Sequence, residues 1–222
     1  MSAQRNNHKV LFFTLMGMTL VLAFGLYFGV VHHRKETVDI KSLKVSGTLL
    51  EPTKALPAFK LESSLKGGSL TQNDLKGHWS ILFFGFSNCG SVCPTTMSAL
   101  NKMYKRLEIS LPSQDLPQVI MISVDPDRDS MERMKSYVES FNPHFIGARA
   151  PMEVIVPLEQ TLGVVSVKLE ASQNKNSNNY VVNHSAELFL VDKSGRVLAY
   201  FPFPPEVNAL VQDYSTIVTA LS

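Results

Sequence analysis

Cysteine is scarce in this chain, with two residues among 222. That excludes a disulfide-rich scaffold, and the chain is long enough to build a core without cross-links. The two cysteines also stand too close together to brace the fold, because a short loop constrains the unfolded chain least. Excess charge is lacking as well. All 19 acidic residues and 19 of the 21 basic ones follow Val31, so the globular part is near neutral. No basic tract interleaved with aromatics occurs, which argues against nucleic acid as a partner.

One long uncharged run is present, the 22 residues from Val10 to Val31. A helix of that length spans roughly 30 Å, enough for a hydrocarbon core. The run is longer than the apolar part of a signal peptide, and no small-residue cleavage site closes it. Tyr27 near its end suits an interfacial anchor. The expectation is a short polar N-terminus (1–9), one uncleaved transmembrane helix (10–31), a charged tether (32–42) and a globular domain (43–222). Arg5 and Lys9 flank one end of the run, and Arg34, Lys35, Lys41 and Lys44 the other, so charge alone does not orient it. His32 and His33 read as solvated tether residues.

The cysteines sit in Phe83-Phe84-Gly85-Phe86-Ser87-Asn88-Cys89-Gly90-Ser91-Val92-Cys93-Pro94. An apolar run, Ile81 to Phe84, leads in as a buried strand, and an amphipathic helix starting near Pro94 leads out. Spacing of four would place both sulfurs on one helical face, and a helix N-terminus lowers a thiol pKa. With cross-linking of the fold set aside, the pair is placed to exchange electrons or bind metal.

Downstream, Met97, Leu100, Met103, Tyr104 and Leu107 recur at helical spacing and read as core. Val119 to Val124 is a second buried strand, ended by Asp125-Pro126-Asp127-Arg128-Asp129. A turn and a helix cap at Asp129 or Ser130 account for that motif, with shaping of the site or binding of a partner as its other reading. Helices follow around Met131 to Phe141 and Glu153 to Leu162, then a strand over Val164 to Leu169. Ala186 to Val191 and Arg196 to Phe201 form a hairpin about Asp192-Lys193-Ser194-Gly195, and Glu206 to Leu221 is a final helix. Leu43 to Leu50 and Phe59 to Leu61 read as short strands. This order predicts an α/β thioredoxin-like fold, a central mixed sheet flanked by helices, with the cysteines beyond the carboxyl end of a strand.

The C-x-x-x-C spacing is wider than the C-x-x-C of thioredoxin-type exchange but still permits a disulfide. Two thiolates with a third donor make a trigonal site for Cu(I), whereas structural zinc takes four protein ligands. His78, His144 and His184 are the candidate third donors. His184 lies before the hairpin, where this fold brings a loop beside the thiols.

The stretches from Phe84-Gly85-Phe86-Ser87-Asn88-Cys89 to Cys93-Pro94-Thr95-Thr96, Val124 to Asp129, and His184-Ser185-Ala186 resemble the Sco/SenC family from Leu56 to the C-terminus. The resemblance implies a membrane-anchored copper-binding metallochaperone, with Cys89, Cys93 and His184 holding Cu(I) or Cu(II) for the copper-site subunit of cytochrome c oxidase. Other copper or thiol-redox proteins are further partners it allows. It places a single-pass protein in the bacterial cytoplasmic membrane with its domain outside, or in the mitochondrial inner membrane facing the intermembrane space. Two departures stand out. Gly90-Ser91-Val92 replaces the Pro-Asp common between the cysteines, and Asn183 replaces an Asp, which predicts a site poor in carboxylates and thiols of lower pKa. The alternative is an enzyme, a membrane-tethered thiol–disulfide oxidoreductase with Cys89 and Cys93 as its redox pair.

Overall fold

A computed structural model describes residues 15–27, 40–170 and 180–221. The chain divides into two compact units, Met1–Asp39 and Ile40–Ser222. In the first, residues 15–27 form a helix. In the second, ten strands are described: β1 (Thr48–Ala55), β2 (Lys60–Ser63), β3 (Ser69–Thr71), β4 (Ser80–Gly85), β5 (Gln118–Ser123), β6 (Ile146–Arg149), β7 (Ser166–Glu170), β8 (Tyr180–His184), β9 (Leu188–Val191) and β10 (Arg196–Phe201). Its four α-helices are α1 (Val92–Ser110), α2 (Met131–Glu139), α3 (Met152–Leu162) and α4 (Val207–Leu221).

The expected transmembrane helix from Val10 to Val31 is not borne out. Its described part covers 13 residues, a rise of roughly 20 Å against a hydrocarbon core of roughly 30 Å. Among the described residues no helix is long and apolar enough to cross a membrane. Residues 10–14 and 28–31, like His32 and His33, lie outside the described residues. The single-pass topology, the membrane as partner and both membrane locations that the resemblance implied all required that helix and fall with it.

Eight strands form one mixed sheet in the order β1-β10-β9-β4-β5-β6-β2-β3. All six residues of β4 are buried, and β4 pairs β5 in parallel from Ser80↔Gln118 to Gly85↔Ser123. Continuous apolar runs such as Ile81-Leu82-Phe83-Phe84 and Val119-Ile120-Met121-Ile122 suit strands covered on both faces. On its other side β4 pairs β9 antiparallel, which brings the hairpin β9–β10 beside it. The first strand runs over Thr48–Ala55 instead of Leu43 to Leu50, and its register slips between Leu49 and Lys54. It contains Pro52, which an edge strand tolerates because one row of its N–H groups faces outward.

Helix α1 joins β4 to β5 and buries Met97, Leu100, Met103 and Leu107 against the sheet. Those methionines are core, as their helical spacing suggested. Ser130 caps α2 by accepting the Arg133 N–H (3.2 Å), and Gly163 ends α3 in the left-handed conformation. The buried carboxylate of Asp213 on α4 accepts from the Ser46 N–H (2.9 Å), the Ser46 hydroxyl (2.6 Å) and the Gly47 N–H (2.9 Å), tying the start of the domain to its end. β7 and β8 pair only with each other, from Ser166↔His184 to Glu170↔Tyr180.

Candidate metal centre

The thiol loop leaves β4 at Gly85 and enters α1 at Val92. A Cβ on Gly85 would lie 3.0 Å from the Cys93 sulfur and 2.8 Å from Phe83 Cε1, so the missing side chain is what admits the thiol. Cys93 is fully buried in the first turn of α1, while Cys89 is half-buried in the loop. Ser91 makes no side-chain cap. The Cys93 N–H instead donates to the Cys89 sulfur at 3.4 Å, so one N–H of the helix start is turned on this thiol.

The loop is braced from β5 and the turn after it. Asp129, fully buried, accepts from the Ser87 N–H (3.2 Å), the Ser87 hydroxyl (2.5 Å) and the Ser123 hydroxyl (2.6 Å). The Ser123 oxygen accepts in turn from the Asp125 N–H at 3.1 Å. The Asp125–Asp129 motif is therefore more than a turn and a cap.

His184 arrives at the end of β8. Its Nδ1 is 2.7 Å from the Ser185 carbonyl, which can only accept, so Nδ1 carries the proton and Nε2 keeps its lone pair. Nε2 faces the Cys93 sulfur at 3.5 Å. Phe83 and Phe86 pack edge-on around the ring, with centroids at 6.1 and 5.7 Å. The Sγ atoms of Cys89 and Cys93 and a ring nitrogen of His184 lie within 4.8 Å of one another. The other candidate donors stay away from the thiols. His78 is exposed at the amino end of β4, opposite the thiol end, and His144 stacks on Tyr104 at 5.9 Å.

Burial sets the electrostatics. It pushes the Cys93 thiol far above its usual value, and the neighbouring Cys89 and Asp129 add to the shift. A helix terminus supplies at most about 2 kcal/mol, near 1.5 pK units, whereas full burial moves a group by about 3–5 units. The expected lowering at the helix start is thus overturned at Cys93. The site is also not free of acid, since Asp129 arrives from a distant stretch of sequence. Burial holds the His184 imidazole below its usual pKa, so the ring is neutral and fit to donate its Nε2 pair. Two soft sulfurs and one neutral imidazole nitrogen, converging within one coordination sphere, fit copper.

Beside the half-buried Cys89 lies an open groove of about 540 Å³, lined among others by Phe86, Cys89, Gly90, Arg128, Tyr180 and Val181. Tyr180 escaped notice as a site residue in the sequence, and Arg128 was favoured there as part of a turn and helix cap. The signal was there in the period-two set Tyr180, Val182 and His184, which shares one face of β8.

A thioredoxin-like sheet with two thiols and an imidazole gathered beyond the carboxyl end of its central strand defines a soft-metal or redox protein. The chain belongs to the SCO1/SenC family, whose model matches residues 48–219. A SCO2-like protein of Rickettsia typhi is 32% identical over 144 residues, covering 65% of this chain and 68% of the relative. The apo Sco1 protein from Thermus thermophilus superposes with a TM-score of 0.66 at 32% identity, over 82% of this chain and 99% of that one. ScoI of Bradyrhizobium japonicum with copper bound does so with a TM-score of 0.61 at 27% identity, over 72% of this chain and 98% of that one.

Proposed function

We propose that this chain binds one copper ion through Cys89, Cys93 and His184 and passes it to the copper-site subunit of cytochrome c oxidase. The observation that carries the reading is the convergence of three soft donors within 4.8 Å, with the histidine tautomer fixed so that Nε2 is the free nitrogen. A relative that superposes on this chain, the Bradyrhizobium ScoI, was solved with copper bound. Membrane attachment forms no part of the reading.

The division of labour follows from burial. Cys93 gives up its proton when it takes metal, since its buried thiol is protonated near neutral pH. His184 is held by its Nδ1–H on Ser185 and needs no deprotonation. Cys89, at the mouth of the groove, is the donor that an incoming ligand of an acceptor protein can replace first. Full-length reduced protein titrated with Cu(I) under anaerobic conditions should retain about one copper per chain. His184→Ala should bind more weakly. A wild-type chain that retains no copper overturns the reading.

A second reading rests on the same asymmetry of the thiols, both of which are free. An accessible Cys89 with a buried Cys93 behind it suits thiol–disulfide exchange. Cys89 would attack a partner's disulfide and Cys93 would resolve the mixed disulfide, moving two electrons and leaving a Cys89–Cys93 bond and two partner thiols. Thiol trapping across a potential series distinguishes the readings, because exchange should survive His184→Ala and a pair that does not cycle refutes it.

A further inference from the structure

His184 stands on an element that cannot hold itself. β7 and β8 form a sheet of their own, and an isolated two-stranded hairpin is marginal in water. Near His184 the hairpin is closed by the Ser185 N–H on the Val165 carbonyl (3.0 Å) and fastened by Val182, which is buried. At the far end of β8 the fastening is polar. The Tyr180 hydroxyl donates to the fully buried carboxylate of Asp125. The Arg128 guanidinium lies 3.8 Å from the Tyr180 ring centroid, pairs with the same carboxylate and donates to the Tyr180 carbonyl (3.1 Å). From the neighbouring strand, Lys168 pairs with Asp127. Every member of this cluster outside the hairpin belongs to the turn whose last residue, Asp129, braces the thiol loop.

Tyr180, Val182 and His184 share one face of β8, so whatever seats Tyr180 also sets the position of His184 four residues on. We propose that Tyr180, clamped by Asp125 and Arg128, is a positioning residue for His184 and that this clamp brings the imidazole to the thiols. The turn then serves both halves of the site. Hydrogen bonds run from the Tyr180 hydroxyl to Asp125, from the Asp125 N–H to Ser123, from Ser123 to Asp129, and from Ser87 to Asp129. Release of the clamp leaves the two thiols in place and withdraws the third donor. This inference rests on the copper reading for its functional meaning, while its geometric content does not.

The test uses the full-length chain with Tyr180→Leu, which removes ring and hydroxyl, and Tyr180→Phe, which keeps the ring over Arg128. Modification of His184 by diethyl pyrocarbonate, followed by mass spectrometry of the copper-free protein, reads the position of the ring without metal. Tyr180→Leu should accelerate it severalfold, and Tyr180→Phe less. Cu(I) competition titrations should show a loss of about 10–100-fold for Tyr180→Leu, the usual range when a ligand's supporting contact goes. The double variant Tyr180→Leu with His184→Ala should bind no more weakly than His184→Ala alone, because Tyr180 acts through the histidine. Losses that add fully in the double variant, or an unchanged modification rate, overturn the proposal. A wild-type chain that fails to bind copper while Tyr180→Leu still exposes His184 refutes the copper reading and leaves the clamp standing.

Discussion

Gly85→Ala tests whether the thiol site depends on a missing side chain. The added methyl would stand 2.8 Å from Phe83 Cε1 and 3.0 Å from both the Cys93 sulfur and Met121 Cε. Ordinary contact begins near 3.4 Å, so each neighbour has to retreat by about half an ångström. All three neighbours are fully buried. Met121 can adapt at the end of its flexible chain. Phe83 is held against the His184 ring, and Cys93 is fixed by the first turn of α1. Over-packing of this kind costs about 1–3 kcal/mol, which in a domain of this size lowers Tm by about 2–4 °C per kcal/mol. If the thiol takes about 1 kcal/mol of that strain on metal binding, copper affinity falls about fivefold. Urea denaturation and Cu(I) competition read the two effects separately. Gly90→Ala is the control, since a Cβ there meets nothing within 4 Å, and it should stay within about 0.5 kcal/mol of wild type. A Gly85→Ala protein indistinguishable from Gly90→Ala in both assays would refute the packing argument.

Asp129→Ala strands the Ser87 and Ser123 donors and should cost about 2–4 kcal/mol, with weaker copper binding because the thiol loop loses its brace; equilibrium denaturation and metal competition check both. Asp213→Ala removes the acceptor of three hydrogen bonds far from the thiols and should cost a similar amount, leaving the affinity of the folded protein for copper unchanged. The pH dependence follows from the two buried groups. The folded pKa of Cys93 is raised above the ordinary 9.0, so its contribution to stability is complete below pH 9.0 and is lost as pH rises beyond it. His184 is lowered from 6.5, so its contribution holds above pH 6.5 and fades as pH falls toward the depressed value. Copper-free protein should therefore lose stability at both extremes, and Cys93→Ser should flatten the alkaline limb. Copper affinity should rise about tenfold per pH unit near neutrality for each thiol proton displaced, and a flat profile would contradict a protonated Cys93.

The central strands were legible because Ile81 to Phe84 and Val119 to Ile122 are apolar without interruption, a pattern that little else imposes. Helix α1 was legible from its period, whereas the residues alone left His78, His144 and His184 open as third donor. Only the resemblance of the cysteine stretch and His184-Ser185-Ala186 to the Sco/SenC family singled out His184. β6 escaped because Ile146-Gly147-Ala148-Arg149 is four residues with a glycine inside. That glycine is a packing requirement, since a Cβ there would press on Met134 at 3.1 Å. The separate hairpin of β7 and β8 escaped for a different reason. The strand over Val164 to Leu169 was visible, but Tyr180 to His184 was read only as a lead into the next strand, and nothing local says that the two pair with each other and stand apart from the main sheet. The Cys93 pKa was misjudged because the helix end is a local feature, whereas the burial that outweighs it comes from β4, β5 and β8. Length of apolar sequence misled at the N-terminus, where a helix is described only over residues 15–27. The service of Asp125, Arg128 and Asp129 to the site could not be read from their own turn, because their partners lie at Ser87 and Tyr180.

X-ray absorption spectroscopy of the Cu(I)-loaded full-length chain tests the central claim most directly. The account predicts two sulfur scatterers and one imidazole nitrogen at a single copper per chain, with the nitrogen lost in His184→Ala and one sulfur lost in Cys93→Ser. A first shell of sulfur alone in the wild type, or a nitrogen that persists in His184→Ala, would contradict it.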